Sequence, residues 1–145
     1  DLNTIKKLRI GKAKVIKEGH DIILLSYGAR LSEVKKASFI LEEQNISSTI
    51  VDARFCKPLD KKLILSLCKY HKALITIEEG CVGGFGSHVL NFLINNSSNI
   101  YKNLIIETIQ LPDTFIDQDT PDKMYAYAKM NSINIAKRIL ARLGC

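Results

Sequence analysis

The side chains with the greatest chemical capacity crowd into one stretch, Ile77-Glu-Glu-Gly-Cys-Val-Gly-Gly-Phe-Gly-Ser-His-Val89. It offers two carboxylates (Glu78, Glu79), a thiol (Cys81), a hydroxyl (Ser87) and an imidazole (His88) around Gly80, Gly83, Gly84 and Gly86. Neighbouring residues of a strand point to opposite faces, so Glu78 and Glu79 cannot work as an acid/base pair. One of them is expected to cap or to pair structurally. Cys81 has no base or cation beside it in the sequence that would make it a thiolate. The imidazole of His88 is a candidate to touch a substrate; packing at an interface is its plainer role. Ser87 and His88 fall where the free N–H groups and positive dipole end of a new helix would lie, a geometry that can cradle an anion. The plainer use of the glycines is close packing of helix on strand, or on a neighbouring chain or domain, and it is favoured. Neither G-x-G-x-x-G nor G-x-x-x-x-G-K-[ST] occurs, which leaves a nucleotide site little support.

A second chemical stretch is Val51-Asp-Ala-Arg-Phe-Cys-Lys-Pro-Leu-Asp60. Arg54 can hold a carboxylate or phosphate bidentately; its plainer role is an ion pair with a nearby acid at a domain interface. The candidate interface or anion contacts are therefore Arg54, Glu79, Gly83, Gly84, Ser87 and His88. No catalytic, cofactor-binding or metal-ligating residue is expected in the chain. The cysteines, Cys56, Cys68, Cys81 and Cys145, form no C-x-x-C and have no histidine at metal-ligand spacing. Free thiols are the expectation.

Hydrophobic periodicity supplies the elements that must place these groups. Residues 12–17 alternate weakly, as an edge strand does. Asp21–Ser26 is a near-continuous apolar run, which suits a strand covered on both faces. Leu31, Val34, Ala37, Ser38 and Leu41 share a helical face over residues 31–44. Residues 48–52 make another strand. Asp60 is an N-cap, with Leu59 and Ile64 placed as a hydrophobic staple. Its helix continues through Leu63, Leu67 and Tyr70 to about residue 70. Residues 72–77 are expected to be the central strand, followed by the glycine loop and its helix. Residues 95–99 are polar loop and 104–109 a further strand. Thr120 and Pro121 open a short helix. A last helix carries Ile135, Ala136, Ile139, Leu140 and Leu143 on one stripe, capped by Asn131 or Ser132 and stopped by Gly144. The order predicts an α/β/α sandwich on a mostly parallel five-stranded sheet with an antiparallel edge strand.

Length and composition fit this picture. The chain has 145 residues, of which 46% are hydrophobic and 25% charged, enough for one domain with its own core. The opening Asp1, with no Met, is taken as the sign of a piece of a longer protein; residues 1–10 are read as an incoming linker and 11–145 as the domain. No apolar run approaches the roughly 20 residues of a membrane span. The net charge is +6, but residues 1–20 alone carry +4 and the rest of the chain +2. That arm is a solvated basic segment, and no basic stripe interleaved with aromatics indicates a nucleic-acid partner. The chain has 16 Lys against 5 Arg, and 20 Ile. This usage points to an AT-rich coding sequence, hence a plastid or apicoplast if eukaryotic and the cytoplasm if bacterial.

Four stretches taken together resemble the C-terminal domain of the 1-deoxy-D-xylulose-5-phosphate synthases, within the transketolase superfamily. They are Ile23-Leu-Leu-Ser-Tyr-Gly28, Val51–Asp60 with its D-A-R-F-x-K-P-L-D wording, Ile77–Val89 with E-E-G-x-x-G-G-F-G-S-H-V, and Leu111-Pro-Asp-Thr-Phe-Ile116. The resemblance spans about residues 11–144. It implies a thiamine diphosphate and Mg2+ enzyme that condenses pyruvate with glyceraldehyde 3-phosphate and releases CO2. It further implies that this domain packs on the preceding thiamine-binding domains and supports a homodimer, with cofactor, metal and aldehyde phosphate held elsewhere. The cofactor-binding G-D-G…N pattern is absent from this sequence. Asp119 stands where relatives commonly carry glycine, a departure that would reshape a turn needing positive φ. The C-terminal domain of a 2-oxo acid dehydrogenase β subunit shares the fold and a related glycine loop. A stand-alone anion-binding module is the remaining alternative.

Overall fold

A computed structural model describes residues 7–96 and 103–145. The expected linker lies outside the described residues up to position 6, and the expected 95–99 loop lies outside them from position 97. Five strands form one sheet in the order β1-β3-β2-β4-β5: β1 Lys14–Lys17, β2 Ile22–Tyr27, β3 Ser48–Asp52, β4 Ala73–Glu78 and β5 Ile105–Ile109. β1 pairs antiparallel with β3, and every other pairing is parallel. The mixed sheet with its antiparallel edge is thus as the periodicity predicts. The middle position differs from expectation: it belongs to β2, and β4 lies between β2 and β5. Both runs are apolar and buried on both faces, so burial alone cannot order them.

The helices are α1 Leu31–Glu43, α2 Lys61–Cys68, α3 Phe85–Asn95, α4 Pro121–Tyr127 and α5 Ser132–Leu143. One apolar cluster joins α1 and α5 to Ile22, Leu24, Ile50, Ile75, Ile77 and Ile109. The other joins α2 and α3 to Ile23, Leu25, Val51 and Leu74. Odd and even positions of β2 feed opposite layers, as strand geometry requires. The chain moves from β2 outward to β3 through α1. It then reverses across β2 to β4 through α2 and goes on to β5 through α3. Right-handed crossovers in opposite directions place α1 on one face and α2 and α3 on the other.

Local sequence explains the helix ends. Asn131 Oδ1 accepts from Asn134 N–H at 3.0 Å, and Gly144 closes α5 at φ +79. Ile135, Ala136 and Ile139 are fully buried there; each burial of an isoleucine is worth about 1.5–3 kcal/mol. The Asp60 carboxylate accepts from Leu63 N–H and from Ala13 N–H, and it pairs with the Lys12 ammonium. It therefore caps α2 and ties the start of β1 to it. The buried positions of α2 are Ile64 and Cys68, four apart; Tyr70 lies beyond the helix, 82% exposed, and takes no part in that face. Asp119 keeps negative φ, so no glycine-only turn forms there. Its carboxylate accepts from Thr120 N–H at 2.7 Å and sits 3.3 Å from the Lys123 ammonium in α4.

Candidate functional site

The sheet reverses its winding between β2 and β4, and the carboxyl ends of these strands border the crevice where open α/β sheets place ligands. Both chemical stretches of the sequence arrive at this edge. Gly28–Arg30 leaves β2 as a 3-10 turn, Ala53–Asp60 leaves β3, and Glu79–Gly84 leaves β4.

Glu78 ends β4 pointing into the α3 layer and is only 4% exposed. Its two carboxylate oxygens accept from Phe85 N–H and Gly86 N–H, each at 2.8 Å. The anion at the start of α3 is therefore the chain's own. A side-chain carbon at Gly80 would lie 2.5 Å from Glu78 Oε2, and one at Gly84 2.4 Å from it. At Gly86 it would meet Thr76 Oγ1 at 2.8 Å. These glycines make room for a folded-back carboxylate. Gly83 is different: nothing surrounds it, and its φ of +98 is what calls for glycine. Tyr27 from β2 stacks on Phe85 at 5.0 Å between ring centroids and seals the same corner. The capped start explains why α3 begins at Phe85, ahead of the apolar run that opens at Val89.

Glu79 takes the other side. Its carboxylate accepts from the Tyr125 hydroxyl of α4 and lies 3.7 Å from Arg30 Nε. The Arg30 guanidinium stands 3.4 Å over the Tyr125 ring. Its Nε is buried without a hydrogen-bond partner. The hydrogen bond to Glu79 is the largest cause raising the Tyr125 phenol above its usual range. Together these three residues strap α4 across the β4 end. A pocket of about 250 Å3 opens beside the strap, lined by Leu111, Ile116 and Met124 along with Glu79 and Tyr125.

The remaining candidates disperse. Ser87 Oγ accepts from Gly83 N–H at 3.0 Å, and Gly84 O accepts from His88 N–H at 3.1 Å, so four candidates form one local turn. His88 also lines a groove together with the loop after β3. Arg54 sits at φ +58, with its N–H donating to Asp52 Oδ1 at 3.1 Å and its Nε 3.7 Å from Asp52 Oδ2. Among the described residues no hydrogen bond or ion pair joins Arg54 to Glu79 or His88. The partners of Glu79, namely Arg30 and Tyr125, lie 49 and 46 positions away in sequence, and no local pattern marks them. All four cysteines are free; burial holds the Cys68 thiol up at about 11, and burial first, then Glu78, raises that of Cys56.

Two solved structures share this arrangement. A split-gene transketolase, described as an inactive β4 tetramer, superposes with a TM-score of 0.84 at 24% identity over 96% of this chain. A transketolase from Campylobacter jejuni superposes with a TM-score of 0.63 at 16% identity over 90% of it. This chain spans 44% of the first protein and 18% of the second. At those identities the likeness speaks for the fold. The family model for the transketolase C-terminal domain matches residues 11–135, and the chain belongs to that family.

Proposed function

We propose that this chain is the C-terminal organising domain of a 1-deoxy-D-xylulose-5-phosphate synthase. The full enzyme condenses pyruvate with glyceraldehyde 3-phosphate, releases CO2 and supplies isoprenoid and thiamine synthesis. The observation that carries the reading is the wording of two loops, D-A-R-F-x-K-P-L-D and E-E-G-x-x-G-G-F-G-S-H-V, which leave the carboxyl ends of β3 and β4 on either side of β2. Thiamine diphosphate and Mg2+ belong, in this reading, to preceding domains of the same polypeptide, and the assembled enzyme is a homodimer in a plastid or a bacterial cytoplasm.

The glycine loop and the start of α3 do not fit the cofactor's diphosphate. The amides that a helix N-terminus would offer a diphosphate are taken by Glu78. Among the described residues no cluster of three acid, His or Cys ligands stands ready for a metal. No catalytic step is assigned to this chain. Its contribution is shape: a rigid sheet whose carboxyl-end loops are pinned by Glu78 and by the Arg30–Glu79–Tyr125 strap.

The test is CO2 release from pyruvate and glyceraldehyde 3-phosphate with thiamine diphosphate and Mg2+. It is run on this chain alone and on this chain mixed with the thiamine-binding domains. Activity is expected only in the mixture. Turnover by the chain alone would overturn the organising role. A mixture that fails here but is captured by a lipoyl-bearing core would assign the chain to a 2-oxo acid dehydrogenase instead.

A further inference from the structure

The loop after β3 and the outer face of α3 enclose a groove of about 360 Å3, within the size range of small-ligand sites. Lys57 and Lys61 approach it from the loop and the first turn of α2, and His88 and Asn91 from α3. Among the described residues no carboxylate lines it. Some lysines elsewhere are matched with acids, Lys12 with Asp60, Lys17 with Glu42, Lys36 with Glu33, Lys72 with Asp21 and Lys123 with Asp119, while others such as Lys35, Lys62 and Lys69 are not, among the described residues. Lys57 and Lys61 have no such partner among the described residues. Asp60 lies between them in sequence, yet its carboxylate is turned to Leu63 N–H, Ala13 N–H and Lys12. Glu78, the acid behind the groove, is buried and held by two amides. The His88 ring makes no hydrogen bond to another described residue. The Lys61 ammonium rests 5.5 Å over the Phe92 ring, an arrangement that steadies a cation at the rim.

We propose that this groove binds a small phosphorylated molecule. Two ammonium groups match the charge of a phosphoryl dianion; a carboxylate would leave one of them unmatched. The His88 and Asn91 side chains supply directional hydrogen bonds to the phosphoryl oxygens. Pro58, Leu59 and Phe92 give the carbon portion an apolar wall. The site lies on the α2/α3 face, apart from the Arg30–Glu79–Tyr125 strap, and it does not depend on the synthase reading.

The experiment is titration of the chain with inorganic phosphate, with ribose 5-phosphate and with ribose, read by calorimetry and by amide chemical shifts. Saturable binding of ribose 5-phosphate is expected, with shifts at His88 and Asn91, weaker binding of phosphate and none of ribose. The double variant Lys57→Gln/Lys61→Gln, both exposed positions, should weaken binding at least about tenfold, roughly 1.4 kcal/mol. Lys72→Gln, whose lysine pairs with Asp21 on another edge, should leave it unchanged. Absence of saturable binding by either phosphate compound would overturn the proposal. So would equal weakening by Lys72→Gln, which would mark a response to net charge alone.

Discussion

Glu78 and Glu79 are neighbours in sequence and opposites in environment. Glu78 is buried, and its donors are backbone amides of the adjoining helix, seven and eight residues on. Glu79 is exposed, and its partners are side chains from β2's turn and from α4. The first is held by peptide geometry that the glycine loop cannot avoid once α3 forms. The second is held by long side chains that give up rotamer freedom and compete with water. One carboxylate is therefore part of the fold, and the other is a strap on it.

The contrast breaks first at Glu78. Glu78→Ala leaves two buried amides without acceptors and should lower stability by about 2–4 kcal/mol, measured by urea unfolding. A loss no greater than that of Glu79→Ala would erase the distinction. Two adjacent glycines sharpen it at a smaller scale. Gly84→Ala puts a carbon where Glu78 Oε2 sits and should cost about 1–3 kcal/mol by displacing the carboxylate. Gly83→Ala meets open space and should cost about 1 kcal/mol, from positive φ alone. In a Glu78→Ala background the Gly84→Ala penalty should shrink while that of Gly83→Ala persists, which a double-mutant cycle reads directly.

The smallest effect belongs to the strap. Glu79→Gln should change stability at neutral pH by less than about 1 kcal/mol. It should also bring the Tyr125 phenol back toward its usual range, seen by ultraviolet absorbance titration. A raised phenol pKa favours the folded state while the phenol is protonated. Its contribution is complete below about pH 10 and is lost as pH climbs through the folded-state value. The native chain should accordingly lose stability on the alkaline side more steeply than Glu79→Gln. Identical alkaline limbs would show that the hydroxyl and carboxylate do not interact in solution.

Much of this was open to inspection in the linear chain. Continuous apolar runs marked β2 and β4, the spacing of Val34, Ala37 and Leu41 marked α1, and Asn131 with Gly144 bounded α5. These are local signals, set by burial period and by caps within a few residues. The two loop motifs were equally legible, because their residue types and order are properties of the chain itself. The strand order, the direction of each carboxylate and the partners of Glu79 were not. They depend on contacts such as Glu79 with Tyr125, 46 positions apart, and Lys12 with Asp60, 48 apart. The glycines illustrate the division. Sequence sufficed to place a shaped turn between strand and helix and to offer an anion site at its helix end. Only the packed sheet decided that the anion is Glu78, because β4 ends with that side chain aimed at α3 and no periodicity encodes where a strand stops relative to the next helix.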